Sequence, residues 1–334
     1  MISKLVDGQP LAREEMQAAM EIIFGGQATP AQIGSFLTAL RVKGETVEEI
    51  TGAALALRAR AIRIEPRARI LVDTCGTGGD ARGTFNISTC AAFVVAGAGV
   101  AVAKHGNRGV SSRCGSADVL AALGVNVDAP PDLVTACIDD LGIGFLFAPK
   151  LHGAMRHAAG PRREIGIRTL FNLLGPLSNP AGARYQLLGI YDGRLLPLVG
   201  EVLRLLGTAH ALVVHGQDGL DEISPCAPTD AVEVSPEGAV PRRITPADFG
   251  LAPCDPRDLQ GGDPEQSAAI LRGILEGRTG GARTAVIINA GAALFVAGAA
   301  ADLRAGAELA TRSLDAGAAL AKLDQLIAFT RDGA

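Results

Sequence analysis

Apolar positions change their period along the chain. The first part reads as helical. Pro10 follows Gly8-Gln9 and opens an amphipathic run that ends at Gly25-Gly26. Thr29-Pro30-Ala31-Gln32 forms a capping box with proline at the first helical position, and Ile33, Phe36, Leu37 and Leu40 then recur at helical spacing. Thr46-Val47-Glu48-Glu49 is a second capping box, predicting a helix to about Arg60. These striped helices cannot bury their apolar faces within so short a segment. They need the rest of the chain or a second copy, so a homodimer through the helical segment is expected. The pattern shifts at Ile70-Leu71-Val72, which reads as a buried strand. Strands are predicted at Val100–Ala103, Ile143–Phe147, Leu187–Tyr191 and Ala211–Val214. Helices are predicted at Ser88–Ala98, Ser116–Leu123, Pro131–Leu141 and Leu195–Leu206. This alternation implies an α/β fold: a small all-helical domain over 1–68, and over 69–334 a larger α/β domain with a mostly parallel central sheet covered by helices.

The composition fits that reading. Of 334 residues, 48% are hydrophobic and 20% charged, which excludes disorder as the main state. A net charge of −4 and an aromatic content of 4% without tryptophan argue against a nucleic-acid partner. The longest clean apolar run, Cys90 to Ala103, falls short of the roughly 20 residues of a spanning helix, so no membrane partner is expected. Ala285 to Ala301 is Ala/Gly-rich, carries Asn289, and reads as a buried helix. The first residues lack the apolar core of a signal peptide. The six cysteines form no CxxC and read as reduced thiols, so a cytoplasmic location is expected.

In open α/β sheets, ligands sit beyond the carboxyl ends of the strands, and the glycine-rich motifs fall there. Asp73-Thr74-Cys75-Gly76-Thr77-Gly78-Gly79-Asp80 follows the first strand. Its glycines let backbone N–H groups approach an anion, although an ordinary glycine turn is an equal reading. Gly76, Gly78 and Ala81 match the dinucleotide fingerprint, but the next helix starts only near Ser88 and no acidic residue follows about 20 positions on. Asn86-Ile87-Ser88-Thr89 is a helix cap or an anion site, with hydroxyls able to serve magnesium. Lys104, one of five lysines, is placed after a strand to meet a phosphate. Ser111, Ser112, Gly115 and Ser116 repeat the pattern of small donors before a helix. Together the three loops read as one polyphosphate site.

At this point the chain resembles the anthranilate phosphoribosyltransferases over nearly its whole length. The motifs are GTGGD (76–80), TFNIST (84–89), KHGNR (104–108), SADVLAALG (116–124), GFLFAP (144–149), RREIGIRTLFNLLGPLSNP (162–180) and VHGQDGLDEIS (214–224). The resemblance implies transfer of the phosphoribosyl group of phosphoribosyl pyrophosphate (PRPP) to anthranilate, with two Mg2+ ions per active site. It implies that Gly76, Thr77, Gly78, Gly79, Asp80, Thr84, Asn86, Ser88, Thr89, Lys104 and Ser116 bind PRPP. Gly76, His105, Asn107, His152 and Arg162 line the anthranilate path, with Arg162 on the carboxylate. Ser88, Asp221 and Glu222 serve the metal, and Lys104, Asp221, Glu222 and His105 carry the catalytic roles. The resemblance further implies that the segment 165–183 returns to the helical domain. Three positions depart from the family pattern: Gly153 where proline is usual, Ala81 where glycine is common, and Cys114 where serine is common.

The chemistry fits from below. The leaving pyrophosphate needs cations and N–H donors, whereas an aromatic amine already carries its lone pair and needs no strong base. A pyrimidine nucleoside phosphorylase-like enzyme is the alternative; it would need neither the acidic pair nor Arg162. A non-catalytic nucleotide- or nucleic-acid-binding relative should show a basic groove and eroded motifs.

Overall fold

The computed structural model describes residues 1–109 and 113–332. The helical segment comprises α1 (Ile2–Val6), α2 (Arg13–Phe24), α3 (Pro30–Lys43) and α4 (Val47–Arg60). Both predicted capping boxes are present: Gln32 N–H donates to Thr29 and Glu49 N–H to Thr46. The first helical run differs from expectation. Pro10 does not open it; α1 stands alone, and α2 starts after Ala12, whose N–H is held by the Glu15 carboxylate at 2.8 Å. Glu49 is fully buried because it accepts from Leu11 N–H, Thr46 N–H and Lys43.

The α/β part begins with β1 (Leu71–Gly76), followed by α5 (Ile87–Gly97), β2 (Ala101–Gly106), α6 (Ser116–Leu123) and α7 (Pro131–Ala136), which runs into a π turn over Cys137–Leu141. Next come β3 (Ile143–Phe147), α8 (Ala148–Leu151), α9 (Arg156–Ile165), α10 (Phe171–Leu174), β4 (Tyr185–Gly189), α11 (Leu196–Leu205) and β5 (His210–Gly216). The chain closes with β6 (Thr229–Ser235), β7 (Gly238–Ile244), α12 (Pro264–Leu275), α13 (Gly281–Val296), α14 (Leu303–Asp315) and α15 (Ala318–Asp332).

The seven strands lie in the order β3-β2-β1-β4-β5-β6-β7. The first five are parallel, while β6 and β7 add on antiparallel. That antiparallel pair is absent from the sequence reading. β7 is an exposed edge strand with Pro241, Arg242 and Arg243 at its centre, so it carries no apolar run, and proline is tolerated at an edge. Three predicted strands, β1, β2 and β5, are also longer than expected. β1 extends through Gly76 and β2 through Gly106, so Lys104 and His105 belong to a strand rather than to the loop after it.

Strand alternation sorts the core onto two faces. Val72, Val102, Leu187, Leu212 and Val214 pack toward α5, α12, α13, α14 and α15. Cys75, Leu188, Ile190, Ala211 and Val213 pack toward α11 and the N-terminal helices. The latter cluster also takes in Ala158, Leu170, Phe171, Leu173, Leu174 and Leu177. The helical stripes are therefore covered by this chain itself, including Ile33, Phe36, Leu37 and Leu40, so their burial does not require a second copy. Val6 and Val42 stay outward, 71% and 82% exposed. Among the described residues no helix is long and apolar enough to cross a membrane. The stretch around Asn289 is the buried helix α13.

Candidate active site

The strand order reverses in the sheet between β1 and β4: β1 leads to β2 on one side, and β4 leads to β5 on the other. A crevice at the carboxyl ends of such strands is the expected ligand position. β1 delivers Gly76 to this edge, β4 delivers Gly189, and Thr77 N–H donates to the Gly189 carbonyl at 2.9 Å. The Thr77 hydroxyl accepts from Tyr191 N–H at 3.0 Å, fixing the root of the glycine loop. Beyond it, Gly78 and Gly79 adopt φ of +65° and +81°. Ala81 is the one non-glycine among the described residues at positive φ, +59°. Glycine would suit that backbone better.

Period-2 alternation in β2 gives Lys104 and His105 opposite environments. Lys104 points to the α5 side. Its ammonium donates to the Thr74 carbonyl at 2.5 Å and lies 3.4 Å from the Ser88 hydroxyl at the start of α5. Thr74 Oγ1 donates to the Ser88 carbonyl at 3.0 Å, tying β1 to the same helix start. Burial lowers the Lys104 pKa, opposed first by the nearby Asp73 carboxylate. Behind it, Asp73 is wholly buried, accepting from His105 N–H and from the Asn179 amide, which also reaches the Ala103 carbonyl. Thr89 is buried with its hydroxyl unpartnered. It walls a cavity of about 10 Å³ with Phe93, Lys104 and Phe145.

The loop after β5 brings Asp221 and Glu222 into this crevice. Glu222 Oε1 accepts from Ser88 N–H at 3.2 Å, in the position of an anion at a helix N-terminus. Asp221 lies against Gly76: a Cβ built there would meet its Oδ2 at 3.1 Å. A Cβ on Gly189 would stand 1.6 Å from the Asp221 carbonyl oxygen, so only glycine lets this loop close. Burial, above all, raises the pKa values of both acids. Asp80 raises Asp221 further, and Asp221 raises Glu222 further. Asp80 Oδ2 is buried without an ordinary hydrogen-bond partner.

Crowded carboxylates beside an orphaned oxygen are short of positive charge. Asp80, Asp221 and Glu222, with the Ser88 hydroxyl, suit a hard divalent cation. Among the described residues no three His, Cys, Asp or Glu side chains form a ready-made metal cage. An incomplete set is what magnesium uses when substrate phosphates supply the remaining ligands.

On the opposite face, His105 Nδ1 is 3.1 Å from the Gly175 carbonyl, so that nitrogen carries the proton and Nε2 the lone pair. Nε2 is buried and unpartnered. His152 tilts against it with ring centroids 5.1 Å apart. Burial pushes His105 down to about 3 and His152 down to about 4, so both are neutral. A base so weak is a poor proton acceptor; His105 is better equipped to accept a hydrogen bond.

The segment from α9 to α10 crosses this face. Arg162 stacks on Phe171 at 5.0 Å from its centroid and makes no ion pair among the described residues. Burial lowers its pKa. Arg168 lies 4.2 Å over the Tyr191 ring and donates to the Gly79 carbonyl, joining this segment to the glycine loop.

The remaining predicted residues secure the rim. The Ser116 hydroxyl is 3.2 Å from Asn107 N–H and 3.3 Å from its carbonyl, and Gly106 leaves room for it. The Asn107 amide oxygen accepts from Arg108 N–H. Asn86 donates to the Cys114 carbonyl at 3.2 Å and leaves its own oxygen buried and unpartnered. Thr84 pairs with Gln260 in an isolated bridge. Ser111 and Ser112 lie outside the described residues. Gly153 faces open space. Asp73, Asn179, Arg168 and Asp118 also build the site, although the motifs that contain them assign them no role. Asp118 accepts from Gly109 and Gly115 N–H and pairs with Arg108. The discoverable signal was Asp73, a charge at the end of an apolar run.

The helical bundle domain profile of the glycosyl transferase family matches residues 1–61, and its a/b domain profile matches residues 68–320. Anthranilate phosphoribosyltransferase of Anaeromyxobacter sp. (strain Fw109-5) is 58% identical over 100% of this chain and 98% of its own. That of Moorella thermoacetica is 57% identical over 100% and 98%. The crystal structure of the Thermus thermophilus enzyme superposes with a TM-score of 0.94 at 44% identity, covering 99% of both chains. The Saccharomyces cerevisiae enzyme in complex with PRPP and Mg gives 0.91 at 27% identity, covering 99% of this chain and 97% of its own. End-to-end identity on this scale, over both domain profiles, means that the chain belongs to the anthranilate phosphoribosyltransferase family of glycosyltransferase enzymes.

Proposed function

We propose that this chain transfers the 5-phosphoribosyl group of PRPP to the amine of anthranilate, giving N-(5-phosphoribosyl)anthranilate and pyrophosphate, the second step of tryptophan biosynthesis. The observation that carries the reading is the convergence of Gly76–Asp80, the α5 N-terminus, Lys104 and a buried acidic pair at one sheet edge. The yeast enzyme is seen in complex with PRPP and Mg, and in another structure with 4-fluoroanthranilate.

The roles follow from the chemistry. The glycine loop Gly76–Gly79, with Asp80, Thr84, Asn86, Ser88, Thr89 and Ser116, cradles PRPP. Ser88, Asp221 and Glu222, with Asp80, would hold magnesium, two ions per site. When bound, the metal offsets charge on the pyrophosphate. Lys104 adds a fixed positive charge on the leaving-group side, within a low-dielectric site where it acts strongly. Arg162 binds both oxygens of the anthranilate carboxylate, which a planar guanidinium suits. Asn107 and His152 shape the same pocket, and His105 Nε2 accepts a hydrogen bond from the arylamine N–H and orients its lone pair toward ribose C1. The C1–oxygen bond breaks, the C1–nitrogen bond forms, and the surplus amine proton passes to solvent.

Residues 1–68 together with 165–183 form the helical unit, and 69–334 otherwise form the PRPP-binding unit. A homodimer through the helical unit would cover Val6 and Val42.

The test follows anthranilate fluorescence with purified protein, PRPP and magnesium. PRPP-dependent decay that EDTA abolishes is expected. No decay with folded protein would refute the reading and direct attention to phosphorolysis of pyrimidine nucleosides.

A further inference from the structure

Helix α13 is built almost wholly of apolar and small residues, yet its centre holds Asn289 with no solvent exposure. A buried primary amide is costly unless its hydrogen bonds are made. Here they are. Nδ2 donates to the Ala285 carbonyl, one turn back, at 3.0 Å, which fixes the side chain's orientation. It also donates to the Ile223 carbonyl at 3.0 Å, and Oδ1 accepts from Ile223 N–H at 3.0 Å.

Both main-chain groups of one residue are thus taken by one side chain, much as a neighbouring strand would take them. Ile223 lies between β5 and β6, is fully buried, and pairs with no strand. Without Asn289 its N–H and carbonyl would be stranded in the interior.

Ile223 directly follows Glu222. The acidic loop is held at three points: the Asp221 carbonyl against Gly189, the Glu222 carboxylate on Ser88 N–H, and the Ile223 peptide on Asn289. Two carboxylates kept together in the interior repel one another, and a loop free to relax would turn one toward solvent. The first two contacts involve the acidic residues or the crevice wall. The third reaches in from a helix behind them.

Resting on the reading of Asp221 and Glu222 as the cation pair, we infer that Asn289 is a positioning residue, whose amide sets the aim of both carboxylates through the Ile223 peptide. It touches neither substrate nor cation.

Asn289→Ala removes every bond of the clamp. Asn289→Asp is isosteric, keeps an acceptor for Ile223 N–H and loses both donations. Mn2+ binding by electron paramagnetic resonance, with PRPP present, reads cation affinity independently of turnover. Affinity is expected to fall about tenfold or more in both variants, the usual cost of losing an outer support of a metal site. The magnesium concentration for half-maximal rate should rise in parallel, with the anthranilate KM unchanged. Urea unfolding separates this from general damage. A variant with a lowered unfolding midpoint but wild-type Mn2+ affinity overturns the positioning role. Should the alanine variant fail to fold, the aspartate variant carries the test alone. If the wild-type protein shows no PRPP-dependent Mn2+ binding, the cation reading itself falls and this inference falls with it.

Discussion

The two buried histidines make stability depend on pH in a way that can be worked from the structure. In the unfolded chain a histidine titrates near 6.5. In the fold, burial holds His105 to about 3 and His152 to about 4. Below about pH 6.5 the unfolded chain takes up protons that the folded protein refuses, so this contribution to stability falls as pH falls. At about pH 5 the gap is roughly 1.5 units, or about 2 kcal/mol per histidine and about 4 kcal/mol for the pair. That is a large share of a typical total of about 5–15 kcal/mol. Asp73, Asp221 and Glu222 act with the opposite sign. Their raised pKa values let the fold bind protons before the unfolded chain does, which stabilises it as pH falls. A comparison with a variant cancels that opposing effect. His105→Asn, which keeps a donor for the Gly175 carbonyl, combined with His152→Gln, should be measured by urea unfolding at about pH 7.5 and about pH 5. The stability difference between variant and wild type should move by about 4 kcal/mol in the variant's favour at the lower pH. A difference that does not change with pH would refute the assignment of both rings as neutral buried groups.

Other outcomes follow from the same geometry. Asp221→Asn with Glu222→Gln should raise the magnesium requirement by about tenfold or more and lower turnover, while urea unfolding at about pH 8 shows a more stable fold, because two repelling buried charges are gone. Unchanged magnesium dependence would remove the pair from the mechanism. Arg162→Ala should raise the anthranilate KM by roughly 10- to 100-fold, the scale of a lost charge-assisted pair, with little change for PRPP. Arg162→Lys should recover only part of this, and equal loss for both substrates would mean the guanidinium does not meet the carboxylate. Ala81→Gly should stabilise the fold by roughly 0.5–1 kcal/mol, since relief of the left-handed backbone outweighs the added freedom of the unfolded chain. Urea unfolding checks this, and a destabilised variant would contradict the positive φ.

Helix starts, parallel strands and the order of the motifs were legible along the chain, because each is a local signal. Thr29 and Thr46 cap helices through contacts within four residues, and β3 appears over the very residues its apolar run marked. Local signals also fixed which loops carry glycine, hydroxyl and charge. The tertiary structure decided how these groups meet. Nothing near Lys104 in sequence reveals that its strand ends late and that alternation sends it to Ser88 while His105 turns to Gly175 and His152. The β6–β7 pair escaped because an exposed edge strand with Pro241 and two arginines has no apolar pattern to read. The environments of Asp221 and Glu222 depend on Gly76, Gly189 and Ser88, over a hundred positions away for Ser88 and on a different strand for each glycine. Burial and neighbouring charge set what an ionisable group does, and both are properties of the packed chain: the sequence supplies the carboxylates, and the fold makes them a site.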